Sequence, residues 1–249
     1  MRRAPFVAPI LVAVALLGGA ARPASASATE DLAEASRAAK TSFVVITDAS
    51  ATGTPAVTAA ATEAATKADA RVILLDRGAS ENAALVQKYR VATAPVPLVL
   101  VVAHNGLPVA GLTAGKVTAA ALVAAIPSPR RLQTLTAFAD GRAVFVVVSG
   151  EKMAGRAEAA EQASAAMRAL EPTKTKARLV LVDVADPKEE RYLAELSLGA
   201  LEVPTVVVFN AAGKRITTLR APWTAQALAE AAVQTGATCC DGGTCGHDK

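Results

Sequence analysis

Three thiols and an imidazole crowd into the last stretch of this chain. Cys239, Cys240 and Cys245 are its only cysteines, and His247 follows two residues later in "ATCCDGGTCGHDK", residues 237–249. The Gly242–Gly243 pair between them lets the backbone turn without strain, so all four groups can converge on one point. Thiolates with an imidazole suit soft or borderline ions such as Cu(I) or zinc. The spacing is tighter than that of paired C-x-x-C zinc modules, which weakens the zinc reading. The same residues also permit redox chemistry. A disulfide from Cys245 to Cys239 or Cys240 would leave one thiol free to exchange. A bridge between Cys239 and Cys240 is disfavoured, because adjacent Cα atoms lie only about 3.8 Å apart. An inert tail is the third reading. Metal handling, thiol exchange and inertness all stay open at this point.

The rest of the chain offers little reactive chemistry. It has two histidines, so no Ser-His-Asp set is supported, and no glycine-rich loop is placed to cradle phosphate. His104 falls near a turn between two apolar runs, where a solvated ring is expected. Asp76 and Asp183 each end an apolar run, as strand-terminating residues do. Trp223 follows Pro222 just before a helical pattern and reads as packing. No basic stripe with interleaved aromatics is present, which argues against nucleic-acid binding.

The chain opens with "MRRAPFVAPILVAVALLGGAARPASASA": basic residues, an apolar run from Phe6 to Leu17, then small residues. That order is the pattern of a secretory leader, expected over residues 1–28 with cleavage after Ala26 or Ala28. The run is short for a membrane span, so no stable anchor is expected after cleavage, and the destination reads as periplasmic or secreted. Loss of Arg2, Arg3 and Arg22 would remove three of the four net positive charges. Outside the cytoplasm, disulfides can persist.

Between leader and tail, the sequence repeats. "RVILLD" at 71–76 matches "RLVLVD" at 178–183, and "VPLVLVV" at 96–102 matches "VPTVVVF" at 203–209, both at an offset of 107. Gly106 and Gly213 keep that register, as do Val109 and Ile216. Upstream, "FVVIT" at 43–47 resembles "FVVVS" at 145–149. Each copy predicts the order α-β-α-β-α-β-β-α. Helices are expected at Asp31–Lys40, near 55–69 and in "SENAALVQKYR" of the first copy. The second has them at Pro129–Asp140, near 155–170 and in "PKEERYLAEL". The continuous apolar runs suit strands buried on both faces. Alanine supplies much of the 52% hydrophobic content and aromatics only 3%, so the cores must be aliphatic. The domains expected are 29–126 and 127–236, followed by a Cys-rich tail at 237–249.

The stretch "LVLVDVADPKEERYLAELSLGALEVPTVVVFNAAGKRI" (179–216) resembles the thioredoxin pattern of a strand, a helix and a Val-Pro-Thr. The resemblance implies an α/β fold of two tandem thioredoxin-like domains, each a mixed central sheet with flanking helices. It also implies cis peptide bonds before Pro204 and, through the repeat, before Pro97. One departure matters. Redox-active members carry Cys-x-x-Cys at the first strand-to-helix turn, where these copies read "DASATGTP" (48–55) and "SGEKMAGR" (149–156). The expectation is a redox-silent binding module for a protein or peptide partner, with any enzymatic activity confined to thiol–disulfide chemistry of the tail. The alternative is thiol–disulfide exchange or soft-metal transfer through Cys239, Cys240 and Cys245, with His247 as an optional ligand.

Overall fold

The computed structural model describes residues 27–235. The leader residues before Ser27 and the tail with Cys239, Cys240, Cys245 and His247 lie outside them. In the first unit, α1 (Ala28–Arg37) leads to β1 (Ser42–Thr47), α2 (Thr54–Ala68) and β2 (Arg71–Asp76). A 3₁₀ turn at Ser80–Asn82 then opens α3 (Ala83–Tyr89), and β3 (Leu98–Val102), β4 (Pro108–Thr113) and α4 (Ala119–Ala125) follow. The second unit repeats the order with α5 (Pro129–Ala139), β5 (Ala143–Ser149), α6 (Arg156–Leu170) and β6 (Ala177–Asp183). Next come a 3₁₀ turn at Pro187–Glu189, α7 (Glu190–Leu196), β7 (Thr205–Phe209), β8 (Arg215–Leu219) and α8 (Ala225–Val233).

Each unit has one four-stranded sheet, ordered β2-β1-β3-β4 and β6-β5-β7-β8. The helix-linked pairs β1–β2 and β5–β6 are parallel, while β3 and β4, like β7 and β8, form antiparallel hairpins. A parallel pair needs a crossover, and α2 and α6 supply it. These are two tandem thioredoxin-like domains. The helix expected at Asp31–Lys40 begins earlier, at Ala28, because Ser27 caps it.

Side chains alternate across a strand, and helices cover both faces of each sheet. Phe43, Val45, Val99 and Val101 therefore pack on α2 and α4, while Val44, Ile46, Leu98 and Leu100 face the α1 and α3 side. In the second unit Phe145, Val147, Val206 and Val208 meet α6 and α8, and Val144, Val146, Val148 and Val207 meet Tyr192 and Leu196 of α7. The helices bring alanine to these contacts: Ala61 and Ala64 from α2, and Ala159, Ala163 and Ala166 from α6, all fully buried. A methyl group lets a helix lie close on a valine-rich sheet, which is how an aromatic-poor chain fills its core.

One expectation needs correction. The strands were expected to be buried on both faces, and β1, β3, β5 and β7 are. The edge strands β2 and β6 are not: Leu74 is 58% and Leu181 46% exposed. Each strand borders one neighbour only, and the crossover helix leaves its outer half open. The repeat also has two offsets. Gly53 and Gly155 both cap their helices in the left-handed conformation, at an offset of 102, whereas β2 and β6 stand at 107. The extra residues form the turn between α6 and β6, where Thr173 Oγ1 accepts from Thr175 N at 3.1 Å.

The units touch at their junction. Asn105 Nδ2 donates to Thr136 Oγ1 at 2.9 Å, and the Arg191 guanidinium of α7 donates to the Ala124 carbonyl at the end of α4. No helix among the described residues is long and apolar enough to cross a membrane.

Candidate functional site

The two strand-to-helix turns, 48–55 and 149–156, are where the resemblance noted above would place a pair of thiols. In the first unit the turn after β1 is cross-braced. Asp48 Oδ1 accepts from Ser50 N at 2.8 Å and Ser50 Oγ at 2.7 Å. Asp48 Oδ2 takes a two-point contact from Arg77, Nε at 2.8 Å and Nη2 at 2.6 Å. Arg77 Nη1 donates on to the Ala94 carbonyl at 2.6 Å. One guanidinium thus ties the turn to the loop that precedes Pro97. A forked pair of this kind fixes direction as well as distance. Thr47 and Thr54 hydroxyls lie 2.9 Å apart and close the mouth of the turn.

The Ser50 hydroxyl, with help from Arg77, holds the Asp48 carboxyl below its ordinary value against a burial effect that pushes it up. An ionised carboxylate whose oxygens already face donors is a poor base. The Ser50 hydroxyl beside it donates into that brace. This turn is built to hold its shape.

The second turn is closed by packing instead. By the repeat, Asp48 corresponds to Gly150 and Arg77 to Val184, so the ion pair gives way to a close apolar contact. A Cβ on Gly150 would sit 3.2 Å from Val184 Cγ2. Gly150 N points at Met153 Sδ, 3.1 Å away. Gly155, with φ of +81°, lies under the Trp223 indole, and a Cβ there would come within 3.1 Å of the ring. Trp223 is buried, and its Nε1 donates to the Leu219 carbonyl at 3.3 Å. Gln162 Oε1 accepts from Ala225 N at 2.9 Å, pinning the start of α8 to α6. The packing role read from sequence for Trp223 is what the structure displays.

The proline expectations divide. The Val96–Pro97 bond is cis; Val203–Pro204 is not, and among the described residues the other cis bond is Ala221–Pro222. The assignment to Pro204 is therefore corrected. Similar Val-Pro sequences need not share an isomer, because the intrinsic preference of an X-Pro bond is small and its surroundings decide. Asp76 and Asp183 organise the ends of their strands, accepting from Gly78 N at 2.8 Å and Ala185 N at 2.9 Å. His104 is exposed at the hairpin turn. Among the described residues no group of three or more His, Cys, Asp or Glu is placed to hold a metal ion.

Sequence reasoning missed Arg77 and the Asp48 brace. The available signal was an aspartate opening the first turn and an arginine directly after β2, both absent from the second copy.

A buried carboxylate lies elsewhere in the second unit. Glu189, 1% exposed, accepts from the Ser128 hydroxyl at 2.5 Å and from Arg130 N at 3.0 Å. It serves the first turn of α5, where backbone N–H groups lack helical partners. Nearby, the Tyr192 hydroxyl bonds Thr134 Oγ1 at 2.9 Å, and burial pushes the phenol up to about 12.

No family model matches the chain, and no curated protein matches it. Solved structures do resemble it. The first two thioredoxin domains of Naumovozyma dairenensis Eps1p share 10% identity, covering 82% of this chain and 95% of that one, with a TM-score of 0.30. The corresponding domains of Saccharomyces cerevisiae Eps1p share 12%, covering 83% and 96%, with a TM-score of 0.31. A zinc-bound form of human ERp44 shares 14%, covering 72% of this chain and 50% of that one, with a TM-score of 0.33. The architecture rests on the strand order of each sheet.

Proposed function

We propose that the chain is an exported binding module whose two redox-silent thioredoxin-like domains hold a protein or peptide partner. The observation that carries this reading is the pair Leu74 and Leu181. They stand at equivalent positions of the repeat, each on the edge strand of its sheet, and each is about half open to solvent. An edge strand offers unpaired backbone groups to an extended segment, and an apolar side chain beside it gives that segment something to bury. Redox silence is supported by the filled turns: an Asp48–Arg77 brace in one, Trp223 over Gly155 in the other. Export is supported by the leader pattern at 1–28.

The test uses a labelled, reduced and alkylated polypeptide as probe, followed by fluorescence anisotropy. A Leu74→Lys, Leu181→Lys double variant should bind at least tenfold more weakly and stay folded. Unchanged affinity in the folded variant would overturn the reading. Redox silence is tested separately with a chain ending at Ala237, which should not accelerate insulin reduction by dithiothreitol. Activity of the full chain that disappears on this truncation would assign exchange to Cys239, Cys240 and Cys245.

A further inference from the structure

Trp223 covers one side of the second turn, and on the β6 side a cavity of about 240 Å³ remains. Ser149, the last residue of β5, lines its floor. Side chains alternate along β5, so Ser149 shares the α6 face with Val147. In the parallel register of β5 and β6 it stands beside Asp183. Ser149 is only 6% exposed, yet its hydroxyl has no hydrogen-bond partner among the described residues. No fully occluded side-chain polar atom among them lacks a partner, so this hydroxyl opens into the cavity. A buried hydroxyl left without a partner costs free energy, which a bound polar group would offset.

Two cations and two anions line the same cavity without pairing. Arg130 and Arg156 are exposed at its rim, while Asp183 and Asp186 are half-buried. No ion pair among the described residues joins either arginine to either aspartate. Asp183 Oδ1 accepts from Ala185 N at 2.9 Å and Asp186 Oδ1 from Lys188 N at 3.0 Å, which anchors each carboxylate by one oxygen and leaves the other open. Arg156 is the first residue of α6, a 15-residue helix whose cap, Gly155, offers no side chain to the first amides. The positive end of that helix adds to the guanidinium. Val147 and Leu181 supply an apolar wall. The lining charges sum to zero, which suits a ligand with one charge of each sign better than a simple anion. The cavity is smaller than the roughly 300–1,000 Å³ of drug-sized sites, so the ligand is small. The first unit does not repeat the arrangement. Thr47 and Thr54 replace Ser149 and Arg156, and their hydroxyls engage each other at 2.9 Å. Ala79 stands in place of Asp186, and Thr29 follows the Ser27 cap where Arg130 follows the Ser128 cap.

We propose that this cavity binds a free α-amino acid with a small aliphatic side chain. Its carboxylate meets Arg156 and Arg130, its ammonium meets Asp183 and Asp186, and the Ser149 hydroxyl accepts from the ammonium beside Asp183. The proposal goes beyond the polypeptide-binding reading and does not rest on it. The full chain is titrated calorimetrically with L-alanine, L-valine and L-leucine. Two further probes are 3-methylbutanoate, which is valine without its ammonium, and 2-methylpropylamine, which is valine without its carboxylate. Saturable binding of L-valine is expected, with both analogues at least tenfold weaker. Arg156→Gln should weaken binding at least tenfold and Ser149→Ala severalfold, both with unchanged circular dichroism. Thr54→Ala, the matching change in the first unit, should leave affinity as it was. Absence of saturable binding for all three amino acids overturns the proposal. Equal affinity for L-valine and 3-methylbutanoate would make the cavity a plain anion site and overturn it too, as would undiminished binding by a folded Arg156→Gln variant.

Discussion

The Asp48 carboxylate is stabilised in its charged form by the Ser50 hydroxyl first and Arg77 next. Its folded value lies below the unfolded one, so the stability it adds is present above the unfolded value and is lost as pH falls through the folded one. Asp48→Asn should therefore flatten the acid limb of a plot of Tm against pH, below about pH 4. Tyr192 acts at the other end. Its phenol is raised from 10.0 to about 12 by burial, so the unfolded chain ionises first as pH rises. Stability should fall across that window by roughly 2–3 kcal/mol. Tyr192→Phe should remove most of the fall while leaving Thr134 bonded to the Arg130 carbonyl. Chemical denaturation at pH 9 and pH 11 captures about half of it, roughly 1–1.5 kcal/mol.

At the scale of elements, the alanine faces decide how closely helices sit. Ala163 of α6 is fully buried against the second sheet, so Ala163→Leu should overpack that layer and cost about 1–3 kcal/mol. The same change at exposed Ala185 should stay within about 0.5 kcal/mol. Equilibrium unfolding in urea would give both values. These elements were legible because the apolar runs and turn residues repeat: "RVILLD" and "RLVLVD" are both strands, and Gly106 and Gly213 both take positive φ at hairpin turns. The edge position of β2 and β6 was not legible. A run such as "RVILLD" looks the same whether one face or two are covered, since coverage depends on where a distant helix ends. The Asp48–Arg77 pair escaped notice for a similar reason. Its partners are far apart in sequence and meet only once β1 and β2 lie side by side.

At the scale of the whole molecule, the two units are joined by Pro127 and a few polar contacts. Arg191 reaches from α7 to the Ala124 carbonyl at the C-terminus of α4, a place where a cation also meets a favourable dipole. Asn105 spans to Thr136. The Arg191→Ala, Asn105→Ala variant should keep both folds yet broaden the distribution of interdomain orientations. Small-angle scattering would show it as an increased radius of gyration with unchanged circular dichroism. An unchanged scattering profile would place the junction's stiffness elsewhere.

The indole over Gly155 has an optical consequence. Trp223 is the only tryptophan in the chain, and it is buried in the second unit. Its emission therefore reports on that half alone, whereas far-ultraviolet ellipticity averages the helices of both. If the halves melt independently, emission and ellipticity will trace different curves, and the gap between them isolates the first unit without cutting the chain. If they melt together, the curves will coincide, and Arg191→Ala should pull them apart.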